Sequence, residues 1–173
     1  MIDFIIKMRK IKETVRRGWA LRGVKHPESV ADHCFLTIVM AEFLTPKELD
    51  RNKVIRMLIV HDLAEIEIGD LTPVESIYKK KLGMEEEALK RMFKGKGEYL
   101  RLWRDFEGQK TPESRFAKQI DKLEGVLQAL EYSKTNGRMK EFFDNAEEFF
   151  SSNEFPRLSK LYCEARKRFE ETI

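Results

Sequence analysis

The chain has 173 residues, 42% hydrophobic and 36% charged, with 33 Lys and Arg against 30 Asp and Glu. That apolar content, with 12 Phe and two Trp, excludes disorder and suffices for one sizeable buried core, so a single domain spanning residues 1–173 is expected. The densest apolar stretch, Cys34 to Leu44, is broken by Thr37 and Glu42 and is far short of the roughly 18 residues of a bilayer span, which excludes a membrane role. Cys34 and Cys163 lie far apart, giving neither a disulfide framework nor a CxxC site, which fits a reducing cytoplasm. The net charge of +3 is uneven. Residues 1–25 carry eight basic and two acidic side chains, so the remainder sums to −3. A basic segment facing a slightly acidic body suits a small anionic ligand; nucleic acid would require a face basic throughout.

Periodicity near 3.6 residues runs through the sequence and no window alternates as a strand does, so the expected fold is all-α. The first helix is predicted from Asp3 to Arg17, ending near Gly18, followed by a loop with Trp19, Arg22, Gly23 and Pro27. Ser29 reads as the N-cap of a second helix with Val30, Cys34, Thr37, Ile38 and Ala41 inward, stopped by Pro46. A third begins near Asp50 and continues through Val54, Leu58, His61 and Glu65 to Gly69. Beyond Gly69 to Pro73, helices are expected at Val74 to Phe93 and Glu98 to Glu107, separated by Gly95-Lys96-Gly97. A long helix from Pro112 to Lys134 carries the stripe Phe116, Ile120, Leu123, Leu127 and Leu130 and stops at Asn136-Gly137; Arg138 to Phe150 and Pro156 to Glu170 complete the bundle.

Two of the three histidines, His33 and His61, lie within apolar helices. A lone histidine there is more often a hydrogen-bonded core residue. His61, however, is followed by Asp62, and Glu65 lies one turn further on, so three ionisable groups share one turn. Burying them without a partner is costly, and a divalent cation is such a partner. Asp121 adds a carboxylate beside the stripe of the long helix, where an exposed flank is the alternative reading. His33, His61, Asp62 and Asp121 make a mixed N/O donor set suited to a divalent ion, Mn, Co, Fe, Ni, Zn or Mg.

The order His33, His61-Asp62, Asp121 resembles the H…HD…D signature of HD-domain metal-dependent phosphohydrolases. Four blocks extend the resemblance to the 5′-deoxynucleotidase branch: Pro27 to His33, Val60 to Glu65, Gly69 to Pro73, and Lys118 to Asp121. The resemblance runs from about Phe4 to at least Glu131. It implies an HD-domain helical bundle, usually dimeric, that removes phosphate from deoxyribonucleoside 5′-monophosphates. It also implies that His33, His61, Asp62 and Asp121 hold the metal, that Glu65 handles the proton of the attacking water, that Asp70 lies near the sugar, and that Trp19 restricts the sugar position. Bacterial members carry Arg immediately before that Trp. Here the residue is Gly18, so Arg16 or Arg17 must supply the phosphate contact, the Arg-x-Gly-Trp arrangement of the eukaryotic type suggesting Arg16, with Lys118 as an added point charge.

Trp19 leaves two readings open, stacking on a sugar or base and anchoring the loop to the core. His26 is expected to face solvent, and Phe142, Phe143, Phe149 and Phe150 to serve core or dimer contact. The runs Lys79-Lys80-Lys81 and Glu85-Glu86-Glu87 are read as solvated faces. Two further functions stand beside the nucleotidase: an HD phosphohydrolase acting on a triphosphate, cyclic or alarmone nucleotide, and a noncatalytic nucleotide-binding protein using the metal for stability.

Overall fold

A computed structural model describes residues 2–72, 80–136 and 138–172. The elements are α1 (Ile2–Met8), a 3-10 turn (Arg9–Lys12), α2 (Arg17–Leu21), α3 (Val30–Leu44), α4 (Arg51–Val60), α5 (Glu65–Ile68), α6 (Lys81–Met92), α7 (Gly97–Gly108), α8 (Pro112–Ser133), α9 (Lys140–Ser151) and α10 (Pro156–Glu170). The described residues contain no strand, only an isolated bridge between Val15 and Ser29. The expected helix start at Val74, Pro73, Lys79 and Gly137 lie outside the described residues.

The long α8 is the axis. Thr111 and Ser114 close a capping box, and Pro112 opens the first turn with a φ already suited to a helix. Phe116, Ile120 and Leu123 are fully buried, and α8 packs against α3, α4, α7, α9 and α10. Each such side chain taken from water contributes roughly 1.5–3 kcal/mol, so the stripe fixes where Asp121 and Glu124 of the same helix point. Ser29 and Asp32 form a second capping box at the start of α3, which gives Asp32 a structural role. Asp50 caps α4 through the Lys53 N–H at 3.1 Å. A smaller apolar cluster, including Val60, Leu89, Phe93 and Trp103, receives Phe4, Met8 and Ile11 from the N-terminal segment.

Two boundaries depart from expectation. The N-terminal segment is not one helix to Arg17: the backbone becomes extended near Thr14, the Val30 N–H donates to the Thr14 carbonyl at 2.8 Å, and the Arg16 N–H donates to the Glu28 carbonyl at 3.0 Å. Trp19 consequently sits in the short α2 rather than in a loop. The helix begun at Arg51 ends at Val60, and residues 61–64 form tighter turns, with the Leu63 N–H bonded to Val60 O at 3.3 Å and the Glu65 N–H to Asp62 O at 3.1 Å. His61 and Asp62 stand at this break, with His61 Nε2 3.1 Å from Asp62 Oδ2. Gly69 caps α5 at φ +75°, a conformation that favours glycine.

Candidate metal centre and its cleft

The four expected donors come from α3, the α4–α5 turn and α8. His33 Nε2 lies 3.2 Å from Asp121 Oδ1, 3.6 Å from Asp62 Oδ2 and 3.2 Å from His61 Nε2. His61 Nε2 lies 3.1 Å from Asp62 Oδ2 and 3.9 Å from Asp121 Oδ1. Ligand atoms on one ion with bonds of about 2.1 Å stand about 3.0–4.2 Å apart; His33, His61 and Asp121 meet this among themselves, and Asp62 meets it with both histidines. The outer nitrogens make the stronger test. His61 Nδ1 is 2.8 Å from the Leu58 carbonyl, which fixes it as the protonated nitrogen; His33 Nδ1 is bonded to the buried Glu124 carboxylate. Both Nε2 atoms are then turned inward, 3.2 Å apart and beside the Asp62 and Asp121 carboxylates, where one cation would engage all of them. Cys34 also comes near His61 and Asp62, with burial pushing its thiol well above the usual range.

Charges around the donors are balanced. Burial would raise the Asp62 carboxyl, yet His61 and His33 hold it well below the ordinary value. Burial likewise opposes ionisation of Asp121, and Lys122, 3.3 Å from Oδ2, with His33 keeps it low. His33 is pushed up to about 9: burial and Arg16 oppose the shift, and the Asp121 and Glu124 carboxylates outweigh them. Glu65 is only 3% exposed, and burial together with Asp62 and Asp70 raises it well above the usual carboxyl range. Its Oε1 is 3.4 Å from Lys81 Nζ, while Oε2 is buried with no hydrogen-bond partner among the described residues.

These groups line a cleft of about 1000 Å³ running from His61, Asp62 and Asp121 to Phe142, Asn145 and Phe149 of α9. The two arginine candidates separate. Arg16 lines the cleft with its guanidinium 3.6 Å from Asp62 and 3.9 Å from Glu28, and its neighbouring carboxylates keep it charged. Arg17 has an exposed side chain outside the lining, and its backbone N–H donates to Asp70 Oδ2 at 2.7 Å. Asp70 lines the cleft while capping α2. Lys118 also lines it, 3.1 Å from Glu107 and over the Phe106 ring at 4.3 Å. Trp19 is buried, stacked on Phe142 with centroids 4.0 Å apart, and donates from Nε1 to Glu28 at 2.9 Å. With Phe142 stacked on it and Tyr132 packed edge-on, Trp19 anchors α2 while it also lines the cleft. Gly18 lies against Phe142, and a Cβ there would make an ordinary contact with that ring at 3.7 Å.

Several expectations need correcting. The basic N-terminal segment does not form one anion patch: Lys7 pairs with Glu67, Arg22 with Glu141, and among residues 1–25 only Arg16, Gly18 and Trp19 line the cleft. Lys81 and Glu85 are not solvated; Glu85 is buried, Lys81 is half-buried, and both face the cleft. Phe143 and Phe150 are core, Phe142 and Phe149 double as cleft wall, and His26 is exposed as expected. Glu124 and Glu28 were not foreseen. Glu124 lies one turn beyond Asp121, and that i, i+3 acidic pair on a buried helix was the available signal.

Residues 8–159 match the HD domain family. The chain is 36% identical over 174 residues to human 5′-deoxynucleotidase HDDC2, covering 95% of this chain and 85% of that protein. It is 32% identical over 148 residues to the Schizosaccharomyces pombe 5′-deoxynucleotidase hdd1, covering 79% and 75%. The solved structure of the PH0347 protein from Pyrococcus horikoshii is similar at TM-score 0.84 and 31% identity, covering 97% of this chain and 99% of that one. A conserved hypothetical protein from Pyrococcus furiosus matches at TM-score 0.83 and 35% identity, over 96% and 99%. Family match, relatives and fold agree with the histidine and aspartate geometry: the chain belongs to the HD domain family.

Proposed function

We propose that this protein is a divalent-metal-dependent phosphomonoester hydrolase that removes phosphate from deoxyribonucleoside 5′-monophosphates, as the names of its relatives suggest. The observation that carries the reading is the donor cluster opening onto a cleft that also presents Arg16, Lys118 and the buried carboxyl of Glu65. His33, His61, Asp62 and Asp121 are assigned to the ion. When bound, such an ion lowers the pKa of a coordinated water and neutralises phosphoryl oxygens, which matters because phosphate monoesters hydrolyse extremely slowly unaided. Arg16 supplies a bidentate contact to the non-bridging oxygens and Lys118 a point charge. Glu65 orients the attacking water and takes its proton as the new bond from the water oxygen to phosphorus forms; the bond between phosphorus and O5′ breaks, and O5′ takes up a proton to leave as the nucleoside hydroxyl. Asp70 and Trp19 bound the sugar. Mn, Co, Fe, Ni, Zn and Mg all suit a mixed N/O set, and loading the stripped protein with each in turn identifies the native ion.

We further propose a cytoplasmic homodimer acting on a small nucleotide, not on nucleic acid. Two free cysteines support a reducing compartment, and no helix is long and apolar enough to cross a membrane. Phe35 and Phe43, one face of α3, are 68% and 74% exposed, an apolar patch that a second copy would cover.

The test is phosphate release from dAMP and AMP across the metal series. The deoxy substrate should win by at least tenfold in kcat/KM; equal rates would leave only a general HD phosphohydrolase. Trp19→Phe should narrow that preference more than it slows dAMP, whereas Arg16→Ala should weaken both sugars alike. An unchanged ratio in the Trp19 variant removes the sugar role.

A further inference from the structure

The run Glu85-Glu86-Glu87 divides by environment. Glu86 pairs with Arg104 and, at 3.4 Å, with Lys90, while Glu87 pairs with Lys90 at 2.7 Å on the surface. Glu85 instead turns inward and places Oε1 3.5 Å from Nζ of Lys81, one helical turn earlier. The same Nζ lies 3.4 Å from Glu65 Oε1, so one ammonium stands between two carboxylates that are 3% and 4% exposed.

Stability does not account for this. An exposed i, i+4 pair contributes little, and burying two carboxylates and an amine costs enough that apolar residues of similar volume usually do as well or better. Nor does phosphate binding single out Lys81. Arg16 and Lys122 stand directly on the metal-donor carboxylates, at 3.6 Å from Asp62 and 3.3 Å from Asp121, whereas Lys81 contacts Glu65 and Glu85, neither of them a donor. The contact takes up only Oε1 of Glu65, leaving the buried Oε2 without a hydrogen-bond partner among the described residues.

We propose that Lys81 is a positioning residue for the reaction: Glu85 holds Lys81, Lys81 holds Oε1 of Glu65, and Oε2 is thereby the oxygen presented to the attacking water. This rests on the role given to Glu65 above. A carboxylate on the short α5 is otherwise free to rotate, and a misplaced base loses much of the roughly 100-fold or greater contribution of general base catalysis.

The test uses the metal-loaded protein and dAMP. Lys81→Met should lower kcat about 10- to 100-fold with KM within about threefold, metal content unchanged and melting temperature near wild type; Lys81→Arg should restore kcat to within about fivefold. Because Lys81 acts through Glu65, the double variant Lys81→Met, Glu65→Gln should be no slower than Glu65→Gln alone. Wild-type kcat in Lys81→Met, a raised KM with kcat preserved, or additive losses in the double variant would each overturn the proposal. Glu85→Gln gives the same test without touching the lysine: about three- to tenfold lower kcat is expected, and an unchanged kcat overturns it. Full activity in Glu65→Gln would bring down the general-base reading itself, a result separate from all the others.

Discussion

The two ends of the cleft are built on opposite principles. At the end formed by α3, α8 and the turn after α4, every charged group is fixed from behind: His33 by Glu124, His61 by the Leu58 carbonyl, Asp62 by Arg16 and Asp121 by Lys122. At the α9 end, Phe142 and Phe149 form a half-buried apolar wall, and Asn145 and Glu148 are exposed. Concentrating charge out of water is expensive, and it is useful where electrostatics must be in place before the reaction begins. An apolar wall with polar tips grips a ligand without fixing it to a fraction of an ångström. Substitutions at the first end should therefore appear in metal content and kcat, and those at the second in KM.

The largest effect is expected at the donors. Asp121→Ala or His61→Ala should release the ion and lower kcat/KM at least about 10³-fold, checked by elemental analysis alongside phosphate release. Retention of stoichiometric metal in both would show that the donors are not His33, His61, Asp62 and Asp121. Next is Glu124→Gln. It keeps the shape and loses the charge behind His33, and should weaken metal affinity about 10- to 100-fold while saturating metal recovers most of kcat. Unchanged affinity in a metal titration would mean that support of His33 is unimportant and that the contrast between the two ends is overstated.

That His33, His61 and Asp121 come together was legible in the sequence because a charge inside an apolar stripe conflicts with its surroundings wherever the chain folds, and each of the three did so. The bounds of α8 and α10 were legible because Pro112 and Pro156 mark first turns by local chemistry alone. What stayed hidden depends on partners distant in sequence. The bridge of Val15 with Ser29 brings Arg16 to Glu28 and turns it into the cleft, and no property of Arg16 and Arg17 as neighbours predicts which is turned. Glu85 looks like Glu86 and Glu87 until α6 is seated against the cleft. The break after Val60 was hidden for a related reason. The sequence continues in helix-compatible residues, so no local signal marks the end of α4 at Val60.

Glu85 sharpens the comparison through pH. Burial, opposed by Lys81, pushes its carboxyl up to about 7 from an ordinary 4.5. The folded protein thus binds this proton more tightly than the unfolded chain, so the associated stability is fully present below about pH 4.5 and is lost as pH rises to about 7. Glu85→Gln, which stays neutral, should melt within a degree or so of wild type near pH 4.5 and gain on it up to about pH 7.5, at matched metal content. A gap constant across that window would mean that Glu85 is ionised throughout and that its burial carries no such penalty.

The smallest effect is expected at Phe149. It is half-buried against the core, lines the cleft, and has Lys122 Nζ 5.6 Å from its ring centroid. Phe149→Leu keeps an apolar side chain there and removes the flat ring. A lost aromatic contact of about 0.5–1 kcal/mol corresponds to roughly a two- to fivefold rise in KM for dAMP. Because Phe149 belongs to α9, whereas the candidate donors and Glu65 belong to α3, α8, the turn after α4 and α5, kcat and metal content should be those of wild type. Lys122 links the two ends, since it also sits 3.3 Å from Asp121. If Phe149→Leu lowers kcat tenfold with KM unchanged, Lys122 transmits the position of the ring to the donor carboxylate, and the cleft is one coupled unit rather than a reacting end and a gripping end.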